Sequence, residues 1–227
     1  LAGHQLHIHF QPQLRIADGT VDTVEALIRW QHPVHGMISP SEFIGLAEQT
    51  DLIGPITEFV LRAATRGLLL AHTDGVKLAV NVSARSLLEP DFADVLLAVL
   101  ADNQFPPDRP ELEVTERTIV TNAERSSYTI HRLRNAGVRI SIDDFGAGHA
   151  SYQTLRVLDV DRVKIDRDFV RRLADDDRDR VIVASLIKLA HDLGLDVVAE
   201  GVENNEVWDA LAALGCDVAQ GFGIAEP

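Results

Sequence analysis

The chain has 227 residues, 46% of them hydrophobic, with a formal net charge of -14. That length and apolar content suit one domain with a sizeable core, here read as spanning 1–227, and the acidity argues against DNA, RNA or an anionic membrane as partner. A single cysteine excludes a disulfide within the chain, and there is no signal peptide and no run of about 18 apolar residues, so a soluble, cytoplasmic segment without membrane contact is expected.

In chain order, a first strand is expected at His7–Ile16, where Ile8, Phe10, Leu14 and Ile16 share one face. His7 and His9 alternate along it and read as packing residues. Ala17-Asp18-Gly19 is a tight turn, and Val21–Ile28 returns as a second strand, which forces antiparallel pairing. Ser39-Pro40-Ser41-Glu42 opens a helix, with a capping hydroxyl and an early proline. A longer helix is expected at Pro55–Ala71, a strand at Val76–Val82 and a helix at Pro90–Asn103. Glu111–Thr115 reads as a strand and Asn122–Ala136 as a helix stopped by Gly137. Strands follow at Val138–Ile142 and Arg162–Ile165. The acids of Asp175–Asp179 read as a solvated helix start, leading into a helix at Arg178–Leu193. Leu195–Ala199 is a strand, Asn204–Leu214 a helix stopped by Gly215, and Asp217–Ala219 the last strand. Cys216, beside it, reads as a small buried hydrophobe. Eight strands, the first reversed and the rest joined by helical crossovers, point to an α/β fold, a TIM-like (β/α)8 barrel with the first strand antiparallel. A doubly wound open sheet is the alternative. The chain starts at Leu1 and stops at Pro227, soon after a strand, and reads as a piece of a longer protein.

Apolar strands in this chain repeatedly stop on an acid, an amide or a lysine. A buried strand gains nothing from such an ending, because an unpaired buried charge is costly. In a parallel barrel the endings converge at one mouth. Glu25, Asn81, Glu113 and Asp143 end four different strands and offer oxygen ligands, which suit hard cations such as Mg²⁺ or Mn²⁺. Asp144 adds a second carboxylate beside Asp143, and adjacent acids can divide their oxygens between two ions about 3.5–4 Å apart. Taken alone, an Asp-Asp pair is turn or capping chemistry. Lys164 would point into the barrel, to hold a water or neutralise a phosphate, or else to pair structurally with Asp166 or Asp161. Glu200 could ligate metal or accept a proton from water. Glu203 lies just behind it. Arg29, read as just past the second strand, has a fork that could grip a phosphate, or is a surface cation. Gln11 and Gln220 could read base edges or ribose. The glycine-rich stretch from Asp144 to Ser151 could order over the site. The histidines show no metal-ligand spacing.

These motifs resemble the EAL domain family of bacterial cyclic di-GMP phosphodiesterases. Glu25-Ala26-Leu27 is the tripeptide that names the family. The likeness runs from Gln11-Pro12 to Gln220-Gly221, through Arg29-Trp30-Gln-His32-Pro33, Asn81-Val-Ser83, Glu113-Val-Thr115-Glu116, Asp143-Asp144-Phe-Gly146, Lys164-Ile-Asp166 and Ala199-Glu200-Gly201-Val-Glu203. The resemblance implies a barrel with a reversed first strand and hydrolysis of one phosphodiester of cyclic di-GMP to linear pGpG, with two Mg²⁺ or Mn²⁺ ions. It implies metal binding at Glu25, Asn81, Glu113, Asp143 and Asp144, and handling of the nucleophilic water at Lys164 and Glu200. Ligand contacts are implied at Gln11, Leu27, Arg29 and Gln220, with Glu116 steadying the loop after the fifth strand. A homodimer and an N-terminal sensor or GGDEF-type domain are implied as partners, and a leading and a final helix lie outside the segment. Ala147, His149 and Ala150 depart from the hydroxyl and aromatic residues common in active relatives, so turnover that is reduced or conditional at worst is expected. The competing readings are a catalytically weak or inactive cyclic di-GMP receptor and a protein-interaction module that binds no nucleotide.

Overall fold

The computed structural model describes residues 5–73, 75–115, 123–146 and 159–227. Strands β1 (Leu6–Arg15) and β2 (Val21–His32) form an antiparallel pair in register Gln11 to Glu25. The turn between them is tight: Gly19 N donates to Arg15 O, and Asp18 accepts from Thr20 N. β3 (Gly36–Ile38), α1 (Pro40–Glu48) and α2 (Ile53–Leu70) come next, then β4 (Lys77–Asn81), α3 (Ala84–Leu88) and α4 (Phe92–Asp102). β5 (Pro110–Thr115), α5 (Ala123–Asn135) and β6 (Arg139–Phe145) lead to β7 (Arg162–Ile165), α6 (Arg167–Val170) and α7 (Asp177–Asp192). β8 (Asp196–Ala199), α8 (Asn205–Ala213) and β9 (Val218–Ala219) complete the order. Around the sheet the order is β1-β9-β8-β7-β6-β5-β4-β2, and β1 pairs with β2 to close it. β1 is antiparallel to both neighbours and the other barrel pairings are parallel. This is the expected TIM-like barrel, and the open sheet is excluded by the closure.

Several local expectations need correction. β3 was not expected; it extends β2 as a three-residue antiparallel edge. β2 runs on to His32, so Arg29 lies inside the strand rather than past it. The short helices α3 and α6 were also missed, α2 begins at Ile53 ahead of Pro55, and Ile16 falls outside β1. His7 is exposed rather than packed: it shares the face of Gln11 and Gln13 but sits near the start of β1, four residues before the first buried position. Asp176 caps α7 as a solvated acid, but Asp179 is buried against Arg172 at 2.9 Å. Cys216 is buried, as expected. The start of the helix expected at Asn122 and the loop residues Ala147, His149 and Ala150 lie outside the described residues. Among the described residues, no helix is long and apolar enough to cross a membrane.

Strand alternation explains how an oily core and a polar interior coexist. Leu78, Val80, Leu112, Val114, Ile140, Ile142, Val163 and Ile165 are fully buried and join the core shared with the helices. Their neighbours Glu111, Glu113, Ser141, Arg162 and Lys164 are also buried, on the opposite, inward face. The barrel lumen is therefore polar along its length.

The lumen's lower end is closed by ion pairs. Arg162 Nη2 lies 2.8 Å from Asp22 and 3.5 Å from Asp196, and Nη1 lies 3.4 Å from Glu111. Arg15 and Lys77 also reach Asp22, at 2.8 and 3.7 Å. Burial alone would push the Asp22 carboxyl up, but the hydrogen bond and charge of Arg162, helped by Lys77, hold it down at about 2 against 3.8. A depressed folded-state pKa gives stability that is present above the unfolded value and lost as pH falls from about 4 towards 2, here about 2 kcal/mol. Asp22→Asn should remove that acid component from urea unfolding curves. At neutral pH it should cost about 3 kcal/mol, because Arg162 stays buried with a partner lost. An unchanged acid profile in the variant would show that Asp22 does not carry it.

Candidate active site

At the other end of the lumen the carboxyl ends of the parallel strands meet. Glu25 on β2 pairs with Ala79 on β4, and Asn81 on β4 pairs with Glu113 on β5. Asp143 ends up beside Thr115, and Lys164 beside Val198. Glu200 and Gln220 follow β8 and β9, anchored by Glu200 N to Ile165 O and Gln220 N to Ala199 O. Lys164, 1% exposed, points its ammonium into four carboxylates. Nζ lies 2.6 Å from Glu200, 2.8 Å from Glu113, 3.4 Å from Asp143 and 3.8 Å from Glu25. The local structural alternatives, Asp161 and Asp166, are not among its ion pairs; Asp161 binds Arg134 and Asp166 caps α6.

The Asp143-Asp144 pair departs from strand geometry. Consecutive strand residues ordinarily face opposite ways. Asp144 has φ 56, a left-handed value rare outside glycine, and the β6–β7 register shifts there. As a result, carboxylate oxygens of Asp143, Asp144 and Glu200 come within 4.8 Å of one another, close enough to hold a metal ion. Two close crossings shape the mouth. Gly201 lies against Arg167, where a Cβ would meet the arginine Cβ at 2.5 Å, and Gly221 lies against Val202, whose carbonyl oxygen a Cβ would meet at 2.1 Å.

Charge is badly out of balance here. Glu25, Glu113, Asp143 and Glu200 share one ammonium, and Asp144 adds a further carboxylate beside Asp143 and Glu200. Glu113 is raised well above the usual range by burial and by the charges of Glu25 and Asp143. Burial pushes Glu200 up to about 7 despite Lys164, and Asp144 is raised by burial and by Asp143. Glu25 goes the other way: burial opposes ionisation, but Lys164 and the amides of Gln220 and Asn81 hold its carboxyl below the usual value. Burial would lower Lys164, yet its four acids raise it well above the ordinary lysine value. Asn81 Nδ2 donates to Glu25 Oε1 at 2.5 Å, which turns the amide oxygen of Asn81 away from Glu25 and leaves it available to a cation. An all-oxygen donor set with excess buried negative charge fits a hard divalent ion.

A cleft of about 390 Å³ opens above this cluster, lined by Gln11, Glu25, Asp143, Glu200 and Gln220, with Arg167, Arg171, Glu203 and Phe222 towards the rim. Leu27 and Arg29 are half-buried and do not line it; Arg29 Nη1 donates to Ile28 O. Glu203 is exposed and bound to Arg171 at 2.8 Å rather than to the acid cluster. Glu116 lies outside the described residues. The structure also brings in residues that the sequence reading missed. Gln13, fully buried, bonds Gln220 at 2.9 Å and reaches Glu113 at 3.4 Å. Its spacing of two from Gln11 was the available signal. Arg167, Arg171 and Phe222 carried none that distinguishes them from surface residues.

A family model described as "EAL domain" matches residues 1–227. The chain belongs to the EAL domain family. This EAL domain is 40% identical over 231 residues to "Bifunctional diguanylate cyclase/cyclic di-GMP phosphodiesterase MucR" of Pseudomonas aeruginosa, covering all of the present chain and 34% of MucR. It is 39% identical over 230 residues to "Cyclic di-GMP phosphodiesterase NbdA" of the same organism, again across the whole chain and 29% of NbdA. The EAL domain thus spans about a third of the length of these curated relatives. Among solved structures, "PaMucR Phosphodiesterase, c-di-GMP complex" superposes with a TM-score of 0.93 at 40% identity, covering 98% of this chain and 92% of that one.

Proposed function

We propose that the domain hydrolyses one phosphodiester of cyclic di-GMP to linear pGpG, supported by Mg²⁺ or Mn²⁺. The observation that carries this reading is the set of acidic strand ends gathered around Lys164, in a chain that superposes on a protein solved with that nucleotide. Glu25, Asn81, Glu113 and Asp143 are the residues to hold one ion, and Asp143 with Asp144 a second. When bound, such ions polarise phosphoryl oxygens and offset the charge that builds up on them. Gln11, Leu27, Arg29 and Gln220 are assigned to the nucleotide, and Glu116 and Glu203 to the surrounding support. Lys164 Nζ holds the attacking water in line with phosphorus. Glu200, 2.6 Å from Lys164 Nζ, takes its proton. The water oxygen bonds to phosphorus as the bond to the 3′ oxygen breaks; that oxygen takes a proton from bulk water, to which Glu200 returns the one it gained. This places the new phosphate at the 5′ end, as in pGpG.

We also assign the domain to the cytoplasm, where a nucleotide substrate would be met. We assign 1–227 to one phosphodiesterase domain of a longer polypeptide, preceded by a sensor or GGDEF-type domain, which the partial coverage of MucR supports. A homodimer belongs to the same proposal. The test is incubation with cyclic di-GMP and Mn²⁺ or Mg²⁺, with and without chelator, with separation of the nucleotides. Formation of pGpG only without chelator is expected. Tight nucleotide binding with no product in excess Mn²⁺ would convert the reading to that of a receptor.

A further inference from the structure

We infer that Gln13 is a positioning residue that satisfies the buried oxygen of Gln220 and steadies the Glu113 carboxylate. The inference rests on the metal site proposed above. It follows from a chain of amides with only one consistent orientation. Gln11 Nε2 donates to the main-chain carbonyl of Ala225 at 2.9 Å, and a carbonyl can only accept. The oxygen of Gln11 therefore faces Gln220, which must donate, and Gln220 Nε2 lies 3.0 Å from it. The same nitrogen donates to Glu25 Oε2 at 2.6 Å. Both N–H groups of Gln220 are then used, and its oxygen is left facing Gln13. Gln13 must in turn donate, and its Nε2 lies 2.9 Å from Gln220 Oε1 and 3.4 Å from Glu113 Oε1. Its own oxygen is buried without a hydrogen-bond partner. Only the donating half of Gln13 is used, and it is aimed at one proposed metal ligand, Glu113, and at Gln220, which holds another, Glu25.

Without that donor, the oxygens of Gln220 and Glu113 lose a partner inside a closed lumen. Gln220 stays held through its nitrogen by Gln11 and Glu25, but its oxygen is left buried without a donor, and Glu113 loses the amide that fixes one of its oxygens. Groups behind metal ligands fix ligand orientation, and their loss typically costs about 10–100-fold in metal affinity. Gln13→Met keeps the chain length and burial and deletes the donor. Mn²⁺ binding is measured by calorimetry without nucleotide, well below the melting temperature, on wild type, Gln13→Met and Glu25→Ala. The expected result is a Mn²⁺ Kd about tenfold or more weaker in Gln13→Met. A role in folding alone would lower the melting temperature and leave the Kd of the folded protein unchanged, which overturns the assignment. If wild type binds no Mn²⁺, or Glu25→Ala binds it normally, the underlying metal site fails instead. Should Gln13→Met not fold, the side-chain amide signals of wild type are followed during Mg²⁺ titration. Gln13 and Gln220 should shift with one shared affinity, while exposed Asn135 stays still, and a stationary Gln13 signal overturns the proposal.

Discussion

Glu25→Ala should lose cyclic di-GMP hydrolysis by at least about 10³-fold while the domain keeps its fold. Each metal-supported interaction with the reacting phosphate accounts for several kcal/mol of barrier, so removing a ligand costs on that order. The fold should survive because Glu25 is one of four acids paired with a single ammonium, with Asp144 close to two of them. Its removal leaves the amides of Asn81 and Gln220 short of an acceptor, but it relieves the charge that pushes Glu113 upward. These effects oppose one another, and the melting temperature without metal should move by only a few degrees. Turnover within about twofold of wild type would remove Glu25 from the metal site. A large drop in melting temperature would instead make it a structural residue.

Lys164→Met should behave in the opposite way, destabilising the metal-free protein strongly. Lys164 is the only cation within 4.0 Å of Glu25, Glu113 and Glu200 among the described residues. Breaking a buried ion cluster by removing one side leaves uncompensated charge and costs about 3–5 kcal/mol. In a domain of this size that lowers the melting temperature by roughly 10 °C. A divalent ion supplies the missing positive charge, so Mn²⁺ should restore more of the melting temperature in the variant than it adds to wild type. Hydrolysis should stay low with metal present, because the group holding the water is gone. An equal loss of stability with and without Mn²⁺ would mean that ions and Lys164 do not share these carboxylates.

Much of this arrangement could be read from the sequence for a physical reason. A parallel barrel makes strand ends converge, so an apolar run that stops on Glu25, Asn81, Glu113 or Asp143 reports its own location. The reversed first strand was equally legible, because Ala17-Asp18-Gly19 is too short for a crossover. What escaped depended on partners far apart in the chain. Lys164 has Asp161 and Asp166 as sequence neighbours, yet it binds acids from four other strands or strand ends. The Arg162–Asp22 pair joins residues 140 positions apart. Gln13 looked like an ordinary strand residue until closure of β1 onto β9 set it beside Gln220. β3 and α6 are too short to show a period, with three and four residues. Arg29 was misplaced because the apolar run of β2 fades before the strand does, and the β3 pairing carries it on to His32.

The most direct measurement is anomalous X-ray scattering at the manganese edge from crystals grown with Mn²⁺. The expected map has strong peaks at the carboxyl end of the barrel, with oxygens of Glu25, Asn81, Glu113 and Asp143 around one ion at about 2.0–2.2 Å, and Asp144 near a second. A map with no manganese in the lumen at millimolar Mn²⁺, and with Lys164 still filling the space among its carboxylates, would contradict the account.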